Sequence, residues 1–221
     1  MQQQIEADLS GYLALLKNLQ NNLCVVARAA ELDSPEYNNL VQNYTNKSLT
    51  LIDSYISTIM YESGQQALEL YPVGVGNIVY DLSRNIKLNF DKNLEVRKIT
   101  NQPIMSNSSL LGNSLFLLSE FLLKITNKNL IFKASHGDRE KINIQIYCQN
   151  LKMFKKTLNN FDQQLKFSHM PYAKYSDNNG LNLVIASKVI NILGGSITPT
   201  SNSKFSGFLV GVPLSKQLSL V

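Results

Sequence analysis

Cysteine is scarce in this chain. Its 221 residues hold two, Cys24 and Cys148, far apart and without the short spacing of metal ligands. That excludes a disulfide framework, and both read as reduced residues of a cytoplasmic protein. Uninterrupted apolar tracts of about 18 residues, the length a membrane helix needs, are also missing, so no membrane span is expected. The opening MQQQIEADLSG lacks the basic start and apolar stretch of a signal peptide. Concentrated charge is missing too. The net charge is +5, but the basic residues are scattered apart from Lys152, Lys155 and Lys156, which read as a solvated helix face. A nucleic-acid binder gathers such charge along one face, so no nucleic-acid partner is expected. Histidine is equally scarce, and neither of the two occurs before His136. What is abundant is apolar side chain, 44% of residues, enough for one large core or two small ones.

The apolar residues change rhythm near residue 65. Before it, Ile5, Leu9, Tyr12, Leu16, Leu19, Leu23, Val26 and Ala30 recur at alternating spacings of four and three, the seam of a helical bundle. Asp33-Ser34-Pro35-Glu36 ends that helix and starts another, with Ser34 as N-cap and Pro35 in the first turn. The second helix carries Tyr37, Val41, Tyr44, Leu51, Tyr55 and Ile59 on one face and ends near Gly64. Together they predict an antiparallel hairpin over 1–65. One hairpin leaves part of its apolar stripes uncovered. Two copies forming a four-helix bundle would cover them; packing on the chain's own C-terminal part is the alternative.

From 66 to 221 strands and helices mix. Ala67–Val73 alternates as a strand, and Val75–Phe90 reads as a helix with Val75, Ile78, Val79, Leu82 and Ile86 inward. Leu94–Thr100 alternates again, and Ile104-Met105 forms a short strand. Ser108 or Ser109 then caps a helix to Lys124, with Leu111, Leu115, Leu118 and Leu122 inward. Leu130–Ser135 and Lys141–Cys148 flank His136-Gly137-Asp138-Arg139 as a β-hairpin. A helix over Lys152–Phe161 precedes a poorly patterned stretch, Asp162–Asn179. The last helix lies between SDNNG and Gly194-Gly195, and strands follow near Ile197 and over Phe205–Val212. The expected class is α+β: a helical hairpin, then a two-layer α/β sandwich.

Several motifs carry a resemblance. NNGLNLVIASKVINILGGSI (Asn178–Ile197) is similar to a glycine box that opens a helix and closes on Gly-Gly and a strand. FLLSEFLLKIT (Phe116–Thr126) resembles the helix that carries a magnesium-binding Asn. Asp8-Leu9-Ser10 resembles the residues before a phosphorylated histidine, and Gly64–Leu82 resembles the link between the two parts. With the hairpin, they resemble the core of a sensor histidine kinase: a dimerising phosphoacceptor hairpin (1–65) and an ATP-binding domain of the Bergerat, or GHKL, type (66–221).

The resemblance implies which residues should do the chemistry, and most are replaced. Gly11 stands where the phosphoacceptor His is expected, and Ser10 beside it is a poor nucleophile without a base. Phe121 stands at the metal-binding Asn, and phenylalanine offers Mg²⁺ no oxygen. After Cys148 the chain reads Gln149-Asn150-Leu151 in place of the adenine-reading Asp-x-Gly. Asn178, Gly180 and Asn182 fall on the three glycine positions, leaving one glycine of a phosphate cradle. Glu120 is the surviving candidate for the carboxylate that assists transfer, with an exposed helix face as its expected setting. His136 and His169 read as surface imidazoles, the second in the segment matching the family's mobile lid. The sequence therefore predicts a degenerate kinase core with no cofactor or metal. Its partners would be a second copy and a response regulator or another kinase, met near Ser10, Gly11 and Ala14. An atypical active kinase that binds ATP is the alternative.

Overall fold

The computed structural model describes residues 16, 19–30, 35–126, 128–137, 140–149, 178–201 and 204–215; for 35, 36 and 178–181 it describes the backbone alone. The expectations for Ile5 to Ala14, Lys152 to Phe161 and His169 lie outside the described residues.

Residues 19–30 form helix α1 and Pro35–Glu62 forms α2. Asn22 Nδ2 on α1 donates to Ser48 Oγ on α2 at 2.9 Å across 26 positions, as an antiparallel hairpin requires. Gly64, at φ +70°, turns the chain out of α2, a backbone region glycine enters without a Cβ penalty. The expected seam is only partly buried. Of its described residues Leu51 and Tyr55 are buried, Leu19, Val26, Val41 and Tyr44 are half-buried, and Leu16, Leu23, Ala30, Tyr37 and Ile59 are exposed.

After α2 come β1 (Tyr71–Val73), α3 (Val75–Phe90), β2 (Leu94–Lys98), β3 (Ile104–Ser106) and α4 (Ser108–Thr126). They are followed by β4 (Leu130–His136), β5 (Lys141–Gln149), α5 (Asn178–Ile192), β6 (Ser196–Ser201) and β7 (Phe205–Pro213). The helix predicted over Val75–Phe90 has those bounds, with all five expected residues buried. Asp91 ends it in a left-handed conformation, its N–H bonded to Lys87 O and its carboxylate held by Lys87 Nζ at 2.7 Å. Ala67–Leu70 is not strand. Only three residues of β1 find a partner, because β3 opposite is equally short. The α4 cap also differs: Asn107 Oδ1 accepts the Leu110 N–H at 3.1 Å, so the capping residue is Asn107 and not Ser108 or Ser109.

The main sheet runs β2-β4-β5-β7-β6, parallel at β2/β4 and antiparallel elsewhere. Strict alternation decides its two faces. Ile142, Ile144, Ile146 and Cys148 of β5 are fully buried, beside Phe132 and Ala134 of β4 and Phe208, Val210 and Val212 of β7, while Asn143, Gln145 and Tyr147 face outward. Helix α4 covers the buried face and packs in turn on α5 and α3. It is long and apolar enough to cross a membrane by length and composition, but most of it is buried within the fold. The hairpin does not stand clear of this sandwich. Helix α2 packs along α5 and touches α4, and Lys188 of α5 holds the Glu62 carboxylate at 3.0 and 3.1 Å.

Candidate functional site

Helix α4 is buried almost all round from Leu110 to Leu123, because sheet, α3, α5 and α2 enclose it. A carboxylate in that stretch must find partners or remain neutral. Glu120 finds them. Its Oε2 accepts from Asn182 Nδ2 at 2.8 Å, and its Oε1 lies 3.1 Å from Lys124 Nζ, one helical turn away. The expectation of an exposed Glu120 is therefore wrong. The residue stands where α4 meets α5, and only 6% of it reaches solvent.

Asn182 is the second half of this arrangement. The sequence places Asn178, Gly180 and Asn182 on a phosphate-binding loop. In the structure all three lie within the first turns of α5, which begins at Asn178. Asn182 is buried and its amide points to α4. The glycine-box segment and the metal-box helix are thus joined by a direct side-chain hydrogen bond. Phe121, at the expected metal position, is 5% exposed and packs against Phe208 of β7, ring centroids 5.9 Å apart.

Two residues that sequence reasoning passed over complete the surroundings. Lys47 of α2 and Asn22 of α1 line a cavity of about 170 Å³ with Glu120, Lys124 and Asn182. Burial pushes the Lys47 ammonium below its ordinary range; the Glu120 charge counters that and Lys124 adds to it. The Lys47 Nζ lies 4.3 Å from the ring centroid of Phe90 and 5.2 Å from that of Tyr44, so aromatic faces supply part of its lost hydration. The available signal was its register: Tyr44, Lys47 and Leu51 share a helix face, so a lysine interrupts the apolar stripe. The remaining candidates do not join this cluster. His136 is exposed at the end of β4, its Nδ1 2.7 Å from Gly137 O. Cys148 is buried, and desolvation pushes its thiol up to about 11, which makes it inert as a nucleophile. Among the described residues no group of acidic, His or Cys side chains could hold a metal.

No protein-family profile and no curated protein sequence matches the chain. Solved structures do. The histidine kinase AdeS of Acinetobacter baumannii superposes with a TM-score of 0.59 at 12% identity, over 91% of this chain and 96% of that one. Full-length ShkA, in complex with AMPPNP, gives 0.56 at 14% identity, over 95% of this chain and 46% of that one. The mycobacterial sensor histidine kinase MprB gives 0.52 at 15% identity, over 66% of this chain and 98% of that one. This chain has the histidine kinase core fold. At such identities the likeness fixes architecture alone, and the chemistry has to come from the residues present.

Proposed function

We propose that the chain is a two-component-type signalling protein whose kinase-like core works as a dimeric interaction or regulatory module, without ATP-dependent autophosphorylation. One observation carries this reading: the 2.8 Å hydrogen bond from Asn182 to Glu120, which bridges the two segments that the resemblance assigns to phosphate and metal. Phosphoryl transfer needs a positioned nucleotide, a metal to neutralise its charge and an in-line nucleophile. Here a phenyl ring occupies the metal position, and Gly11 occupies the acceptor position. Losing any one of these lowers transfer by orders of magnitude.

In this reading residues 1–65 dimerise and 66–221 form the ATPase-like part. A receiver domain of a response regulator, or another kinase, approaches the hairpin near Ser10, Gly11 and Ala14, where glycine permits close contact. The exposed Leu16 and Leu23 favour a second copy over the hairpin, at 43% and 62% exposure. The test is calorimetry with ATP and Mg²⁺, paired with a search for γ-phosphate label on the chain. Neither binding at micromolar concentration nor label is expected. Either result would establish the second reading, an atypical active kinase, which the likeness to the AMPPNP-bound ShkA structure favours.

A further inference from the structure

A second cavity lies away from the Glu120–Asn182 contact. It is a cleft of about 570 Å³ between α3, the N-terminal half of α4 and β1. That volume suits a small organic ligand. At one end the Tyr71 hydroxyl lies 3.1 Å from Ser108 Oγ and accepts the Ser108 N–H at 3.4 Å, tying β1 to α4.

The glycines on its walls need explaining. Some glycines answer a local crowd: a Cβ on Gly207 would collide with Ile146 O and one on Gly195 with Gly211 O, whereas Gly64 and Gly76, outside the cleft, stand in open space. At Gly74 and Gly112, both lining the cleft, a Cβ would meet nothing within 4 Å. Gly112 lies inside α4, where glycine is less favourable than alanine, and among the described residues nothing crowds it. An open glycine inside a helix leaves backbone bare for something outside the chain to approach.

The chemistry of the walls narrows what that is. Asp81 and Arg84 stand three residues apart on α3, both lining the cleft, and neither has an ion-pair partner among the described residues. A carboxylate and a guanidinium side by side match a zwitterion, the ammonium to Asp81 and the carboxylate to Arg84. Asn77 and Asn113 add amide donors and acceptors, while Tyr71 and Pro72, both exposed, present apolar surface to the same space. We propose that this cleft binds a free α-amino acid with an apolar side chain, making the fold a small-molecule sensor at a site separate from the nucleotide boxes. The inference does not depend on whether the chain binds ATP.

The experiment is titration of the purified full chain with L-leucine, followed by backbone amide shifts and calorimetry. Leucine should shift the amides of residues 74–82 and 108–113. Arg84→Gln and Asp81→Asn should each weaken binding about tenfold, the loss of one charge-assisted contact. Leucinamide, lacking the carboxylate, and N-acetyl-leucine, lacking the ammonium, should lose affinity to the same degree. Gly112→Leu should block the cleft while the rest of the amide spectrum keeps its folded dispersion. The proposal is overturned if leucine, valine, isoleucine, methionine and phenylalanine leave these amides unmoved at about 10 mM, above the weakest affinity of interest. It is equally overturned if the capped derivatives bind as tightly as leucine.

Discussion

Helices α2 and α4 come from one chain and do opposite jobs. Along α4, twelve residues are buried, among them Leu111, Leu115, Leu118 and Leu122 at zero exposure. Along α2, buried Leu51 and Tyr55 alternate with Leu49, Ile56 and Ile59, each about half exposed. The rest of the fold covers α4 on nearly every side. The hairpin satisfies half of its own apolar surface and leaves the other half for something else to cover. A mutation of one kind should therefore have unequal effects in the two regions.

The largest effect is expected at Phe208, fully buried in β7 and stacked on Phe121. Phe208→Ala should cost about 3–5 kcal/mol of stability, most of what a domain of this kind has. Leu49→Ala in the hairpin should cost less than about 0.5 kcal/mol. Urea unfolding of both variants checks the contrast, and equal losses would mean that the hairpin is as tightly packed as the sandwich.

Next comes the polar contact inside the apolar region. Asn182→Ala leaves the Glu120 carboxylate buried with the Lys124 ammonium still beside it, and should cost about 1–3 kcal/mol. Glu120→Ala should cost a similar amount, and the double variant should cost less than the sum, with about 1 kcal/mol of coupling. Additive losses would show that the two side chains do not meet in solution. Magnesium-ATP binding by the Asn182→Gly variant, absent from the parent, would sharpen the proposal that this bond closes the nucleotide site.

These residues also mark where sequence reading stopped. α3 was legible because its polar face is exposed, so period and bounds agree. α4 was legible as a helix, and its four inward leucines are buried as expected. Glu120 was misplaced because a helix enclosed on all sides has no solvent face to assign a carboxylate to. Leu110, Phe116, Leu117, Phe121 and Leu123 already made α4 apolar all round, and that was the signal. Asn182 was read as a relic of a loop since its partner lies 62 positions away. Local pattern carries no information about such a pair. Lys47 differs: its place between Tyr44 and Leu51 on the apolar face of α2 is a local signal.

A third, pH-dependent effect belongs to the sandwich alone. The Cys148 thiol is pushed up to about 11 from 9.0 by burial. The unfolded thiol ionises first, so the folded state's advantage is full below pH 9 and is lost as pH rises toward 11. The size is about 3 kcal/mol at most. Cys148→Ala should flatten this part of the stability profile between the unfolded value of 9.0 and the folded value of about 11. A slope that survives the substitution would point to another group.

The smallest effect concerns the tie between the two regions. Lys188 on α5 holds Glu62 at the end of α2, with side-chain exposures of 23% and 47%. So exposed a pair is worth about 0–1 kcal/mol, and salt should reduce it further. The apolar contacts of Leu51 and Tyr55 are buried in the same core as the sandwich and do not weaken with salt. If apolar burial seats the hairpin, a double-mutant cycle on Glu62→Gln and Lys188→Met should give under about 1 kcal/mol, vanishing near 1 M salt. Tyr55→Ala should then cost several times more, about 3 kcal/mol. A coupling above about 2 kcal/mol would reverse that order. The hairpin would then be held by charge, and its seat on the sandwich would be set by ionic strength rather than by packing.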